Sequence, residues 1–474
     1  MNTALLSLSA PLLAALWLLL THRRQAPVVI VASLISLVAA VFSLYQVIDA
    51  GEQSLALGGW ESPLGIRLRL MPVSAMLLTF TALIHSLVGL YAWRSRHSQT
   101  RHTDYWPLSC LLHAALAALW LSHDIFNWYV TLELLGLVAV VMVCLAGPKA
   151  YGAALRYLLL SLAASLCYLL GVALLYGVYG VLDVSLLAEA ARADPSTRTA
   201  LMLMTVGLML KAALWPLHLW LPAAHSSAPT AVSALLSALV VKGPLFILWL
   251  LWSRVAPEEL GQAAGPWLAL AGVGALLVGG WSALRAPLIK LMVAYSTVAQ
   301  LGYALLALGL MLHWRELSLD AALWLFVLAH GLAKVSMFLA AGEMQSTLGS
   351  RRLDSLKGAT QTMPVAMFAF AVAGGSLIGL PPSGGFLAKW LLLLPLLQNP
   401  AHWPWALGVM LGTLISAAYV FRVVAISFDR ARPTSPDFNP DRFAQWLSLL
   451  PALLVWGMAL ISEQLILWLT GATL

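Results

Sequence analysis

The sequence predicts an all-α polytopic membrane protein with about 14 transmembrane helices. Of its 474 residues, 61% are hydrophobic and only 9% are charged, and the mean hydropathy is +0.88. A soluble fold does not need so much apolar surface, so the solvent of this chain is a lipid bilayer. Its apolar runs are close to the roughly 20 residues that a helix needs to cross the hydrocarbon core.

The apolar runs place the spans within a single membrane domain, residues 1–474. The predicted spans are 3–20, 27–48, 71–93, 105–122, 124–146, 152–179, 199–221, 229–253, 264–284, 287–311, 319–344, 362–397, 403–428 and 444–470. Between the second and third spans, the alternating sequence IRLRL predicts a small β-hairpin at the membrane surface.

Two spans contain proline breaks. The seventh is interrupted at Pro216 and the twelfth at LPPSGG, residues 380–385. Proline within a helix frees a carbonyl, which a membrane tolerates only where protein or a wet cavity satisfies the backbone. The breaks are five helices apart, an odd number, so we expect two inverted five-helix repeats with broken helices 7 and 12. The repeats would be 105–253 and 264–430, between N-terminal helices in 1–104 and a last helix in 431–474.

The distribution of Lys and Arg predicts the orientation. Loops on the side of Arg23 and Arg24 hold 15 basic residues, and loops on the opposite side hold 6. Basic loops remain in the cytoplasm. We therefore expect a multi-pass protein of the bacterial cytoplasmic (inner) membrane with both termini outside.

Five cations remain inside predicted helices, against one carboxylate at mid-span. The cations are Lys211, Lys242, Lys334, Lys389 and Arg422, and the carboxylate is Glu133. A charge within a membrane helix costs roughly 2.5–3.5 kcal/mol on insertion scales, so it is normally functional. One carboxylate cannot neutralise five cations, and the pattern therefore favours an ion path over static pairs that only hold helices together.

Other classes of function find no support in the residues. The net charge of +7 comes from short loops between apolar runs, so nucleic acid is not an expected partner. Cys110, Cys144 and Cys167 form no CxxC pair, which argues against iron–sulfur, zinc and disulfide sites. No motif for NADH, flavin or quinone is recognisable, so we expect no cofactor, no metal and no redox chemistry in this chain.

Five stretches resemble the antiporter-like family shared by respiratory complex I, Mrp-type cation/proton antiporters and membrane-bound hydrogenases. They are WYVTLELLGL around Glu133, LKAALWPLHLWLPAAHSSAPTAVSALLSALVVK around Lys211 and Lys242, LIKLMVAYSTVAQLGY at 288–303, HGLAKVSMFLAAGEM at 330–344 and GLPPSGGFLAKW at 379–390. The resemblance covers roughly 106–430, and the motifs are highly specific in combination.

In this family, the glutamate of the fifth helix pairs with the lysine of the broken seventh helix. A lysine in the eighth helix and a lysine or glutamate in the twelfth continue a proton path at mid-membrane. Glu133, Lys211, Lys242 and Lys389 match these positions. Lysine suits the task because burial and a nearby carboxylate change its proton affinity in opposite directions.

The resulting hypothesis is a relay. Glu133 holds Lys211 protonated until a second charge separates the pair and releases a proton towards Lys242. Lys334 and His330, four residues apart on one helix face, then carry it to Lys389.

The other polar side chains within the helices receive separate expectations. His218 and His225 flank the break, where water can enter, and are candidates for lining the path. His85 and His113 are expected to be packing residues, and Arg422 either closes the path or anchors a lipid phosphate. Gly243–Pro244 is expected to distort the eighth helix just past Lys242.

The resemblance implies a proton-translocating subunit whose partners are other membrane subunits of a hetero-oligomeric complex, protons and the lipid bilayer. The short chain and its lysines look most like the D-type subunit of Mrp antiporters, for which Na⁺ is a second candidate ion. Two alternatives remain: a proton-pumping subunit of a complex I-like NADH-quinone oxidoreductase or membrane-bound hydrogenase, and a non-conducting scaffold subunit.

Overall fold

A computed structural model describes residues 1–21, 25–95, 104–429 and 441–470. The predicted fold class is confirmed. Within the described part of the chain, eleven helices are long and apolar enough to cross a membrane. Three shorter apolar helices accompany them: Tyr105–Leu121, Pro364–Ile378 and Gly384–Gln398.

The helices follow one another with short connections. In the first part of the chain they are α1 (Asn2–Thr21), α2 (Gln25–Ala50), α3 (Pro72–Arg94), α4 (Tyr105–Leu121), α5 (Ile125–Cys144), α6 (Tyr151–Tyr179), α7 (Val184–Ala190), α8 (Pro195–Lys211) and α9 (Leu221–Ser227). In the second part they are α10 (Thr230–Leu235), α11 (Lys242–Leu250), α12 (Glu258–Arg285), α13 (Ile289–Trp314), α14 (Leu317–Leu348), α15 (Ala359–Thr362), α16 (Pro364–Ile378), α17 (Gly384–Gln398), α18 (Trp403–Phe428), α19 (Arg442–Gly457) and α20 (Ser462–Thr470).

Each predicted span coincides with one helix or with consecutive helical pieces. Helix seven consists of α8 and α9, and helix twelve of α16 and α17, so both predicted breaks are observed. The division into repeats 105–253 and 264–430 stays a prediction. So does the orientation, and Arg23, Arg24, Arg96, Arg101, Arg430 and Arg432, which contribute to it, lie outside the described residues.

The predicted hairpin is also observed. Strand β1 (Gln53–Ala56) pairs antiparallel with β2 (Arg67–Leu70). Successive side chains of a strand point to opposite faces, and Leu68 and Leu70 are accordingly buried while Arg67 and Arg69 are half-buried. Arg69 of β2 pairs at 2.6 Å with Glu52, the residue directly before β1, which links the two strands by side chains as well.

The centre of the bundle is α14, which is buried along its membrane-spanning window, with α13 beside it. The backbones of α12 and α13 touch at glycines. A Cβ added at Gly272 would lie 2.6 Å from Leu306 N and 2.7 Å from Gly302 O, and one at Gly309 would lie 2.4 Å from Ala269 N. Lipid supplies no hydrophobic force between helices, so their association depends on close packing. Small residues permit that packing because they let two backbones approach each other.

We expect Gly272→Ala to lower the thermal unfolding temperature of the detergent-purified protein, because overpacking a close contact costs about 1–3 kcal/mol. The matched control is Gly177→Ala on α6, where an added Cβ meets nothing within 4 Å. That control gains up to about 1 kcal/mol of helix propensity. Equal unfolding temperatures for the two variants would contradict the close contact.

Candidate proton path

The fifth, sixth and seventh helices meet at an ion pair. Lys211 Nζ, at the end of α8, donates to Glu133 Oε1 of α5 at 2.9 Å. Ser161 Oγ of α6 accepts a second bond from Nζ at 3.1 Å, and Ser165 Oγ donates to the same Glu133 oxygen. The Lys211 side chain is 5% exposed and that of Glu133 is 19% exposed. The two residues expected to pair are therefore in contact, with the carboxylate nearer the protein surface.

The break of helix seven holds Lys211 at a half-helix end. Trp220 Nε1 donates to the carbonyl of Leu210 at 2.9 Å, and its ring stacks on Tyr157 at 3.9 Å. The same carbonyl also accepts the Ala213 N–H at 3.2 Å, so the end of α8 is capped by the backbone of the break as well as by Trp220. The negative end of the helix dipole also favours a cation there.

Helix eight is not distorted directly past Lys242 as expected, because α11 (Lys242–Leu250) is regular, and the distortion nearest to the lysine lies before it. A π-helical segment, Leu236–Val240, immediately precedes Val241, whose N–H donates to Leu236 O at 3.4 Å. The physical reason is that Pro244 lacks the N–H that would bond the carbonyl four residues earlier, so its effect is felt upstream. A second π-helical segment, Leu251–Val255, ends the helix.

Lys242 contacts His330. Its Nζ donates to the Ser237 carbonyl inside the π-helical segment and lies 2.9 Å from His330 Nδ1 on α14. An ammonium can only donate, so a protonated Lys242 requires a neutral His330 with its proton on Nε2. A neutral Lys242 amine can instead accept from Nδ1–H. The contact therefore allows two proton arrangements, which a relay requires.

Lys334 lies one helical turn after His330 but bonds a different helix. Its Nζ donates to Val293 O at 3.0 Å and to Ser296 Oγ, both on α13. The lysine is fully buried. The two residues predicted to act together thus have separate partners: His330 faces Lys242, and Lys334 faces α13.

Lys389 lies at the break of helix twelve. Its Nζ donates to the carbonyls of Leu377 at 2.8 Å and Ile378 at 3.0 Å, at the end of α16. The ammonium also sits 4.1 Å from the centre of the Tyr303 ring. Unpaired carbonyls, the negative end of a half-helix and an aromatic face all favour a cation.

The structure adds Gln300, which sequence reasoning did not single out. Its Nε2 donates to Leu377 O at 3.3 Å, the oxygen that also binds Lys389, and to Ser416 Oγ at 3.0 Å and Tyr419 Oη at 3.1 Å. Gln300 follows Ser296, the partner of Lys334, by one turn of α13. The signal was available, because a glutamine inside the apolar motif YSTVAQLGY is itself unusual.

The contacts of the two histidines near the first break do not assign them a role. His225 is fully buried and stacked on Phe338 at 5.0 Å, and neither of its ring nitrogens has a partner among the described residues. His218 is half-buried between α8 and α9. Their place on the path stays a prediction.

Three further polar residues, His85, His113 and Arg422, lie apart from the buried lysines described above. His85 and His113 stack face to face, with ring centroids 4.5 Å apart, which leaves no room for a flat cofactor between them. His85 Nδ1 lies 3.0 Å from Thr81 O, and His113 Nε2 lies 3.1 Å from Ser36 Oγ.

Arg422 binds the carbonyls of Leu284 and Ala286 and so caps α12.

Comparisons with known proteins show the family of this chain. The family described as NADH:quinone oxidoreductase/Mrp antiporter, TM, matches residues 122–416. An N-type subunit of the NADH-quinone oxidoreductase of Desulforudis audaxviator is 33% identical over 92% of this chain and 91% of its own length. A D-type subunit of the Na(+)/H(+) antiporter of Bacillus subtilis is 28% identical over 82% of this chain and 79% of its own length.

A solved structure shares the fold. The match is in the Mrp complex from Dietzia sp. DQ12-45-1b, with a TM-score of 0.89 and 24% identity. It covers 99% of this chain and 96% of the matched chain. This multi-pass membrane protein, with its broken helices and buried lysines, belongs to the NADH:quinone oxidoreductase/Mrp antiporter transmembrane family.

Proposed function

We propose that this chain is a proton-translocating subunit of a multi-subunit membrane complex. The observation that carries the proposal is the row of buried lysines at 211, 242, 334 and 389, on helices seven, eight, eleven and twelve. Among the described residues, only Lys211 of these four lies within ion-pair distance of a carboxylate. Cations held by neutral acceptors can lose and regain protons without breaking an ion pair.

The arrangement supports a stepwise mechanism. Glu133 stabilises the proton on Lys211, and a charge that approaches Glu133 weakens this attraction. The coupling is strong in a membrane interior, where two unit charges 4 Å apart interact by about 4 kcal/mol at an effective dielectric constant of 20. The released proton passes towards Lys242 and His330, then Lys334, then through the surroundings of Gln300 to Lys389.

Within the family, a D-type subunit of an Mrp-type monovalent cation (Na⁺)/proton antiporter is our first choice. The 28% identity to an antiporter subunit of the D type supports it. The second candidate, a proton-pumping subunit of a complex I-like oxidoreductase or of a hydrogenase-type complex, is favoured by the 33% identity to an oxidoreductase subunit of the N type. In either case we place the protein in a bacterial inner membrane, with both termini outside the cytoplasm.

We expect Glu133→Ala, Lys211→Ala and Lys389→Ala each to abolish proton transport while the complex still assembles, because each removes a member of the path. Transport is measured with a pH-sensitive dye in everted vesicles, and assembly by native electrophoresis. Lys357→Ala, at a half-exposed lysine paired with Asp429, is the matched control and retains transport. Full transport by the Lys211 and Lys389 variants would instead identify a scaffold.

Gln300→Leu tests the connection between Lys334 and Lys389. We expect at least a tenfold slower transport with unchanged assembly, since the amide that shares the Leu377 oxygen with Lys389 is lost; tenfold corresponds to about 1.4 kcal/mol. Gln262→Leu is the control, because Gln262 is exposed and bonds only Glu258 with its side chain among the described residues. An unchanged rate for Gln300→Leu would remove Gln300 from the path.

Gentle purification from native membranes, with mass spectrometry of the co-purifying proteins, separates the two candidate complexes. For an Mrp-type antiporter we expect small hydrophobic subunits alone. Iron–sulfur, flavin or nickel proteins in the same particle would instead identify the proton-pumping arm of a redox enzyme.

A further inference from the structure

A polar cavity opens at the connection between α9 and α10, where helix seven ends. It has a volume of about 200 Å³ and lies between residues 226–230, the start of α13 and the end of α14. One water occupies about 30 Å³ in the liquid, so this space holds about six waters, or one tetrahedral oxyanion with part of its hydration. Five hydroxyl side chains and the amide of Gln345 line it; the hydroxyls belong to Ser226, Ser227, Thr230, Ser346 and Ser350.

Two cations also line the cavity. Lys290, the second residue of α13, is only 6% exposed, and its Nζ donates to Ala228 O at 2.9 Å. An ammonium has three donors, so two of them remain for other acceptors. Arg351 follows α14, and its carbonyl accepts the Ile289 N–H at 3.1 Å, which fixes this arginine beside the start of α13.

The charges of this cavity are not balanced by the described residues. No aspartate or glutamate in the described part of the chain lines the cavity, and Lys290 makes no ion pair there. Glu343 lies two residues before Gln345 but receives hydrogen bonds from Tyr91 and Ser95 of α3 and its flank. A buried cation without a counter-charge is costly, and an anion in the cavity would remove that cost.

We propose that this cavity binds an oxyanion of the phosphate class, either free phosphate or the headgroup of a phospholipid. Lysine and arginine beside hydroxyl donors match the charge and the several acceptor oxygens of such a group. This assignment is independent of the proposed transport function.

Occupancy of the site would affect the connection between helices seven and eight. Lys290 holds the carbonyl of Ala228, which directly follows α9, and Ser226 and Ser227 follow His225 in the chain. A bound anion would therefore tie residues 226–230 to α13 and to the end of α14. We expect the anion to raise the thermal stability of the protein, since it binds the folded state.

The test uses the protein in its native complex and measures two probes. Free phosphate is measured by equilibrium binding of radiolabelled inorganic phosphate. Headgroup binding is measured by native mass spectrometry after exchange into phosphatidylglycerol or, as a zwitterionic comparison, phosphatidylcholine. Lys290→Gln and Arg351→Gln remove the two cations. Arg352→Gln is the matched control, because that guanidinium pairs with Asp354 at 2.8 Å.

Saturable phosphate binding that Arg351→Gln and Lys290→Gln weaken at least tenfold, and Arg352→Gln does not, supports a free-phosphate site. Retained phosphatidylglycerol that the same two variants lose supports a headgroup site. Should Lys290→Gln fail to fold, the exposed Arg351 still allows the comparison with Arg352. Absence of binding to both probes, or equal binding by the Arg351 and Arg352 variants, overturns the proposal.

Discussion

Lys389 binds the carbonyl oxygens of Leu377 and Ile378, at the end of a half-helix. Inside a bilayer, a buried ammonium and an unpaired carbonyl are each costly, because no water is present to satisfy either. Placing them together reduces both costs at once. The same kind of contact recurs at Lys242 with Ser237 O in the π-helical segment and at Lys290 with Ala228 O after α9. The helix irregularities and the buried cations are therefore one structural solution.

The pair of Lys211 and Glu133 departs from this pattern. Lys211 bonds a carboxylate and a serine, whereas Lys242, Lys334 and Lys389 bond backbone carbonyls and neutral side chains. A carboxylate attracts the ammonium more strongly than a neutral carbonyl does. Glu133 is also the more exposed partner, on the outer flank of α5. In the proposed relay, a charge outside this chain therefore acts on Glu133 first, and the remaining lysines respond through the interior.

The contacts of α14 show how side-chain direction selects partners. His330 and Lys334 are one turn apart, and helical spacing alone makes them neighbours. In the folded chain, His330 reaches back to Lys242 and Lys334 reaches across to Val293 and Ser296. His330 therefore links α14 to α11 of helix eight, and Lys334 links it to α13. Gln300 then extends the contacts of α13 to the second break.

The sequence alone predicted the membrane solvent, the spans, both helix breaks, the hairpin and the mid-membrane charges. These follow from hydropathy, proline chemistry and the cost of burying charge, which act locally along the chain. The family resemblance added the pairing of Glu133 with Lys211, which the structure places at 2.9 Å. Only the folded chain showed that His330 contacts Lys242, that Gln300 lies beside Lys389 and that His85 stacks on His113. These features depend on packing between helices distant in sequence, and residue spacing carries no information on which helices become neighbours.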